Sequence, residues 1–449
     1  MSERRYEAPG ARTAERRATV GGPPWQLPVA VLAAAAAAQV AGMAALALAA
    51  PDLASGVAYG PAQLGAVHLL GLGFLTVAIL GALLQLVPVL FRRVLMGPVP
   101  ASLTGVALVG GAWSLALGLW SQDVPAIATG GTLVVAALAA LAAALVNVLV
   151  RAARAGTAGA PGAGMALATT WLVAVAAVGG LMAANRVEPF LEVDRLRLIG
   201  AHAVLALVGW IGGAILAMAL RLAPMFALSH GYPRRPGTVA LALWHASVPP
   251  LAAGILWDLT PVVVAGAVLL LAGIGAAAVY VGGVARHRRR RAEAPLVHLV
   301  IGLASAAAAC LVPAVTWIVG GLVVRAAIPA VLLLAVGMGC GVTSGHLFKV
   351  VPMLVWTGRW AGLAGTPGAP TLSDLFPQRL AAVEQAAFAA GLAALVAGVA
   401  AHVPALARAG ALLLLVAAVA VAAAVAVCAA ARRPRHADRP VRPLTGGAT

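Results

Sequence analysis

Charged residues are scarce in this sequence: only 10% of its 449 residues are Asp, Glu, Lys or Arg. Soluble globular domains contain about 25% charged residues, so the composition excludes that class. It also excludes intrinsic disorder, because disordered segments contain too few apolar residues to form a core. Here 62% of the residues are hydrophobic and the mean hydropathy is +1.00.

Cysteine is also scarce, with three in the whole chain. Cys310, Cys340 and Cys428 each lie inside an apolar run, and no two of them form a CxxC pair. Disulfide frameworks and zinc sites both depend on cysteines at characteristic spacings. The sequence therefore indicates neither a disulfide-bonded fold nor a structural zinc site.

Long apolar runs are what the chain has in quantity. A helix needs about 20 predominantly apolar residues to cross a hydrocarbon core that is about 30 Å thick. The sequence meets this requirement about twelve times and predicts an all-α membrane protein. The spans, numbered 1 to 12 in chain order, are 25–50, 62–91, 99–120, 124–150, 163–185, 197–228, 237–257, 260–285, 295–320, 327–357, 378–400 and 404–431. They form a transmembrane domain, 25–431, between an N-terminal segment, 1–24, and a basic tail, 432–449.

Membrane topology accounts for the excess of basic residues, which is 30 against 13 acidic residues. With a cytoplasmic N-terminus, all but five of the basic residues fall at cytoplasmic ends of the spans. The exceptions are Arg186, Arg195, Arg197, Arg325 and Arg408. This asymmetry satisfies the positive-inside rule. It predicts a multi-pass protein of the plasma (inner) membrane with both termini cytoplasmic, in contact with the lipid bilayer and not with nucleic acid.

A short pattern recurs near the cytoplasmic end of spans 2, 6 and 10. It consists of a polar residue, two apolar residues, proline and three more apolar residues. The copies are QLVPVLF around Pro88, RLAPMFA around Pro224 and KVVPMLV around Pro352. Repeats at equal spacing indicate architecture, so the pattern predicts three four-helix units in pseudo-threefold arcs. The alternative is that proline is simply common in membrane helices.

The polar residues of these motifs are Gln85, Arg221 and Lys349. They are predicted to satisfy the backbone carbonyl that each proline frees, or to line a cavity. The alternative for Arg221 and Lys349 is that their long side chains reach the membrane interface. Glu384 is the one acid well inside a span, and we expect it either to carry protons or to neutralise Lys349 or Arg221.

Spans 2, 6 and 10 also carry histidines, His68, His202 and His346. Ionisable residues within membrane spans are costly and are functional by default, and neutral imidazole binds heme iron and copper. His245 lies in the middle of span 7, where a hydrogen-bonded core histidine and a metal ligand remain alternatives. His298, near the start of span 9, is expected to lie at the interface.

This layout of twelve spans, with histidines on spans 2, 6, 7 and 10, resembles subunit I of the heme-copper oxidase superfamily. The nearest branches are the C-type oxidases and nitric oxide reductases, and the likeness covers about residues 25–431. The resemblance implies a heme-binding set of His68, His202 and His346, with His68 as an axial ligand of a low-spin heme b. It also implies that His202 and His245 are ligands of a second metal, copper or iron.

The sequence departs from the family's pattern at several positions. The family has adjacent histidines on span 7, but here Ala246 follows His245. It has two span-10 histidines separated by one residue, but here Leu347 and Phe348 follow His346. Span 6 has no tyrosine for the family's histidine–tyrosine crosslink. The resemblance therefore implies at most one heme and an incomplete second metal site.

The depths of the histidines limit which of them share an iron. If the three prolines are level, the helical rise of 1.5 Å per residue separates His68 from His346 by about 21 Å. Either the prolines are not level, or His68 and His202 form a site near the external face while His346 serves elsewhere.

The resulting hypothesis is a diverged, heme-binding membrane protein with a role in electron transfer or in nitric oxide or oxygen chemistry. Its further partners would be an electron-donor protein or other membrane subunits. One alternative is a secondary transporter in which Arg221, Lys349 and Glu384 contact an anion or protons. A second alternative is a membrane scaffold without heme.

Overall fold

The structure is a computed structural model that describes residues 23–318, 323–366 and 369–431. Within these ranges it contains twelve helices that are long and apolar enough to span a membrane, which confirms the predicted fold class. The helices are α1 (Gln26–Ala54), α2 (Pro61–Phe91), α3 (Pro98–Ser121), α4 (Val124–Arg154), α5 (Gly159–Val187), α6 (Arg195–Ala227), α7 (Arg235–Leu256), α8 (Thr260–Arg286), α9 (Ala294–Ile318), α10 (Val323–Arg359), α11 (Gln378–Ala400) and α12 (Pro404–Ala430). The basic tail, 432–449, and all but the last two residues of the N-terminal segment lie outside the described ranges.

Odd-numbered helices begin, and even-numbered helices end, on the side of the bundle where the described chain starts and finishes. We call this side the termini face and the other side the opposite face. Several helices start with proline at the first turn, including α2 at Pro61, α3 at Pro98 and α12 at Pro404. Proline suits this position because the first backbone N–H groups of a helix have no partner within it.

Each of α2, α6 and α10 contains a π-helical segment. The segments are Leu69–Thr76, Val204–Gly212 and Leu333–Cys340. Each ends twelve residues before the proline of its helix, at Pro88, Pro224 and Pro352. The shared register supports the internal repeat with a feature that the sequence motif did not contain. Long π-helical segments are rare and are frequently found at functional sites.

The three π segments contact one another, so α2, α6 and α10 meet in the middle of the bundle. The remaining contacts recur every four helices. Hairpins pair α3 with α4, α7 with α8 and α11 with α12, and successive units meet where α4 packs on α5, α8 on α9 and α12 on α1. Three successive four-helix units would make these contacts, and the arrangement of the units in three arcs stays a prediction.

Glycines allow the hairpin helices to approach closely. In the hairpin of α11 and α12, a methyl group at Gly410 would overlap the backbone amide of Leu395, and one at Gly398 would overlap that of Ala407. Gly130 faces the backbone of Leu115 in the same way in the hairpin of α3 and α4. Small residues at helix interfaces permit such contacts, which stabilise helix pairs in lipid through van der Waals packing.

We predict that Gly410→Ala destabilises the protein by about 1–3 kcal/mol, because the added methyl group forces α11 and α12 apart. Unfolding of the purified protein by SDS in mixed micelles measures the change. Gly275→Ala is the matched control, since a methyl group at this glycine of α8 meets no atom within 4 Å. Equal stability of the two variants would contradict the proposed close packing.

Candidate functional site

Side chains satisfy backbone and polar groups where the π segments meet. The Thr76 hydroxyl donates to the Gly71 carbonyl at 2.8 Å, and Trp210 Nε1 of α6 donates to the same hydroxyl at 3.3 Å. Trp244 Nε1 of α7 donates to the Val208 carbonyl at 2.9 Å. All three side chains are buried. Irregular backbone at membrane depth requires such partners, so these residues hold the centre together.

A further buried link joins α1 to α10, where Gln39 Nε2 donates to Ser344 Oγ at 2.8 Å. Sequence reasoning predicted none of these central residues. The feature that could have identified them is the presence of hydroxyl, amide and indole side chains within otherwise apolar spans. Their partners are carbonyls and hydroxyls on distant helices, which local patterns do not identify.

His68 lies immediately before the π segment of α2, and its Nδ1–H donates to the Leu64 carbonyl at 2.8 Å. His346 of α10 makes the equivalent bond to the Val342 carbonyl at 2.7 Å. Each bond places the proton on Nδ1 and leaves the lone pair of Nε2 available. A hydrogen bond of this kind is what fixes the tautomer and orientation of metal-ligating histidines.

His202 of α6 lies at the same end of the bundle as His68, within the range of electrostatic interaction between the two imidazoles. Its ring packs on α5, where a methyl group at Gly179 would lie 3.0 Å from His202 Cε1. The buried Nδ1 atom of His202 has no hydrogen-bond partner in the described part of the chain. The fold therefore brings together two histidines from spans 2 and 6, each with an available ring nitrogen. We call them the His68–His202 pair.

A methyl group at Gly71, three residues after His68 on the half-buried surface of α2, would meet no atom within 4 Å. The sequence placed glycines near all three histidines, with room for a macrocycle and helix packing as the alternatives. At the other glycines near these histidines, side chains from neighbouring helices occupy the space beside the backbone. Trp171 lies against Gly209, and Phe388 lies against Gly341. Gly71 is thus where the open-space alternative fits.

Arginines surround the beginnings of α2 and α6 on the opposite face. The Arg195 guanidinium lies 5.4 Å from the centre of the Tyr59 ring, and Arg186 interacts electrostatically with both residues. Arg195 precedes His202 by seven residues, which corresponds to a rise of about 10 Å. Positive charge therefore lies between the His68–His202 pair and the solvent at this end of the bundle.

His346 does not belong to this site. The π segments are level because they contact one another, and His68 precedes its segment while His346 follows its own by six residues. The helical rise over the intervening residues is about 20 Å, which no single iron bridges. The sequence left two alternatives. The structure has the three helices in the same register, with His346 at a different depth from His68 and His202.

His245 of α7 is buried and accepts a hydrogen bond from Trp171 Nε1 at its Nδ1 atom, at 3.2 Å. The neutral ring then carries its proton on Nε2 and has no lone pair left for a metal. A methyl group at Gly213 of α6 would lie 2.5 Å from its Cε1 atom. This environment favours the hydrogen-bonded core histidine over the metal ligand.

The polar residues near the termini face have partners other than those the sequence suggested. Glu384 of α11 bonds His298 of α9, with Oε2 2.8 Å from Nε2, and both side chains are fully buried. Lys349 is buried and pairs with Glu293 at 2.5 Å, whereas Arg221 is exposed. Glu384 is therefore not the counter-ion of Lys349 or Arg221, and His298, which was expected at the interface, is buried between helices near the start of α9. The interface alternative fits Arg221 and not Lys349.

A small cleft at the termini face reaches His346. It lies between the end of α6 and the start of α9, and its lining includes Ala223, Phe226, Arg291, Glu293, Leu299 and His346. Its enclosed volume of about 20 Å³ is enough for one water molecule.

Gln85, the polar residue of the first proline motif, is half-buried on α2. The lining of the cleft at the termini face does not include Gln85, Arg221 or Lys349, so the cleft does not support the expectation that these three residues line a cavity.

Within residues 23–318, 323–366 and 369–431, no three His, Cys, Asp or Glu side chains come close enough to hold a metal ion. A heme iron needs only two ligand atoms from the protein. His68 and His202 each offer an available imidazole nitrogen, so the donor chemistry of these residues fits a heme. Comparison with models of protein families finds no match, and no curated protein matches the chain.

We predict that Thr76→Val lowers stability by about 1–2 kcal/mol, because it leaves the buried Trp210 Nε1 without its partner and removes the hydroxyl's bond to the Gly71 carbonyl. SDS unfolding in mixed micelles measures the loss. Thr169→Val is the matched control, since the Thr169 hydroxyl only donates to Met165 within its own helix. The central role of Thr76 is contradicted if both variants unfold at the same SDS concentration.

Proposed function

We propose that this chain is a diverged membrane protein of the heme-copper oxidase subunit I type that binds one heme b between α2 and α6. His68 and His202 would hold it through their imidazole nitrogens, and its role would be electron transfer. The observation that carries the proposal is the pairing of these two imidazoles near one end of the bundle, each with an available ring nitrogen. A bound heme supplies one-electron chemistry at its iron.

The tautomer of His68 prepares it for this role. Because Nδ1–H is bound to the Leu64 carbonyl, the basic Nε2 atom points away from the helix backbone. His202 keeps a buried nitrogen without a partner, and a buried polar atom without a hydrogen bond costs about 1–3 kcal/mol. Ligation offsets that cost, which explains how the helix tolerates this histidine at membrane depth.

The surroundings suit a flat, largely apolar group with acidic substituents. A side chain is missing at Gly71, three residues after His68, where a methyl group would meet no atom within 4 Å. Arg186 and Arg195 place positive charge toward the opposite face, where they would attract the propionates of a porphyrin. Arginine suits this task because its guanidinium binds carboxylates in bidentate geometry.

Electron transfer fits the residues better than gas reduction. Two histidines would occupy both axial positions of the iron and leave no open position for nitric oxide or oxygen. The second metal site of the resembling family is incomplete, because Ala246 follows His245 and the Nδ1 atom of His245 is occupied by Trp171. Ligands for a copper ion beside the heme are therefore missing from the positions that the resemblance implied.

The proposed placement follows from the distribution of arginines. The positive-inside rule assigns the termini face to the cytoplasm, so the His68–His202 pair lies near the external side of the plasma membrane. An electron-donor protein would then approach from outside, across the 186–197 loop. That loop is anchored by the exposed ion pair between Arg197 and Asp258, whose atoms are 2.7 Å apart.

The full chain, expressed with hemin in the medium and purified in mild detergent, tests this proposal. We expect one heme per chain and a low-spin reduced-minus-oxidised spectrum. His68→Ala and His202→Ala should each abolish this spectrum, and added imidazole should restore it in part. His346→Ala and His245→Ala are the controls, and both should keep the heme.

Two results would overturn the proposal. A colourless wild-type protein that takes up no hemin would favour the transporter or the scaffold without heme. Heme that is lost in His346→Ala but retained in His68→Ala would place the cofactor at the other end of the bundle. Protein yield and SDS unfolding of each variant distinguish loss of a ligand from loss of the fold.

A further inference from the structure

A second polar site lies on the other side of the central π segments, between α9 and α11. His298 and Glu384 are fully buried, with Nε2 and Oε2 2.8 Å apart. His298 is four residues from the start of α9 and Glu384 six from the start of α11. Both therefore lie within about 6–9 Å of the helix ends at the termini face. Neither residue takes part in the proposed heme site.

Burial makes the charge of this pair depend on its protons. An isolated carboxylate at this depth is costly, and a histidine beside it allows one added proton to make the pair electrically neutral. With one proton on His298 Nε2 the pair carries a net charge of −1. A second proton on Nδ1 brings the net charge to zero.

The unpartnered atoms of the pair distinguish it from a simple tether between helices. His298 Nδ1 and Glu384 Oε1 are both buried, and neither has a hydrogen-bond partner in the described ranges. A tether needs only the bond between Nε2 and Oε2. The two remaining atoms are free to take a proton, which a site that exchanges protons requires.

His298 is accessible from α10 because two glycines remove side chains between them. A methyl group at Gly345 would lie 2.7 Å from His298 Cβ, and one at Gly341 would lie 3.6 Å from His298 Nδ1. The ring therefore lies directly on the α10 backbone, with its edge against Phe388 at a centroid distance of 5.2 Å. His346, one residue after Gly345, interacts electrostatically with His298.

The cleft at the termini face completes a path to solvent. His346 lines it together with Glu293 and Arg291, and its volume fits one water molecule. The Phe226 ring lies 6.0 Å from the His346 ring, centroid to centroid, and encloses the imidazole from α6. The cleft thus connects His346 to solvent at the end of the bundle where His298 lies against α10.

The groups around the pair leave its own charge uncompensated. Glu293 and Lys349 pair with each other at 2.5 Å and neutralise one another. Among the described residues, polar groups of the other packed helices are engaged elsewhere. Arg221 of α6 is exposed, and Tyr280 of α8 donates to the Leu220 carbonyl. Gln39 of α1 bonds Ser344, and the Cys428 thiol of α12 donates to the Leu375 carbonyl. Protons alone therefore set the charge of the pair.

We propose that the His298–Glu384 pair is a proton-exchange site that is loaded from the termini face through the Glu293 cleft and His346. Uptake places a proton on His298 Nδ1, and the proton on Nε2 can pass to Glu384 Oε2. Release reverses these two transfers, so that atoms and charge balance in each direction. The site functions without heme and does not depend on the His68–His202 pair.

Infrared difference spectroscopy on the full-length protein tests the proposal. We expect a titrating carboxyl band in the wild type that is absent in Glu384→Gln. The rate at which this band shifts in D₂O should fall at least about tenfold in His346→Phe, a change of about 1.4 kcal/mol in the barrier. His245→Phe is the matched control, because it replaces a buried histidine outside the path and should leave the exchange rate unchanged.

The same measurements contain the outcomes that would overturn the proposal. Identical carboxyl spectra for the wild type and Glu384→Gln across the pH range would mean that the pair does not exchange protons. An unchanged exchange rate in His346→Phe would remove the path and leave a structural tether. His346→Phe keeps the His298–Glu384 bond, so this test holds even if Glu384→Gln fails to fold, and neither readout requires heme.

Discussion

Within a membrane, every backbone polar group that leaves the regular helical pattern needs a partner inside the protein. Three helices of this chain leave that pattern at the same level, where the π segments of α2, α6 and α10 meet. Thr76 and Trp244 supply partners there, and Trp210 extends the network. These helices must therefore lie in the middle, surrounded by the other nine, because only protein neighbours provide such groups.

This central layer separates two polar regions. His68 and His202 lie between it and the opposite face, and His346, His298 and Glu384 lie between it and the termini face. The separation of about 20 Å between His68 and His346 prevents one cofactor from using both ends. The proposed one-electron site lies near one face and the proposed proton-exchange site near the other. The two proposals are therefore compatible, and either could be disproved without affecting the other.

The resemblance to heme-copper oxidase subunit I remains a prediction, since no family model matches the chain. Contacts that recur every four helices and π segments in the same register are what a threefold internal repeat would produce. The histidines support only part of the family's chemistry. His245 is engaged by Trp171, so the position that the resemblance assigned to a second metal instead contributes to packing between α5 and α7.

The sequence by itself determined the twelve spans, the proline repeat and the candidate histidines, because hydropathy and spacing are local properties of the chain. It also predicted that His68 and His346 lie too far apart in depth to share an iron if the three prolines are level, and left open whether they are. Only the tertiary structure decided the pairings of His298 with Glu384 and Lys349 with Glu293. Each of these pairs joins residues from separate segments of the chain, and several acids and bases lie at similar depth. Which of them meet depends on helix rotation and glycine packing, which span composition does not encode.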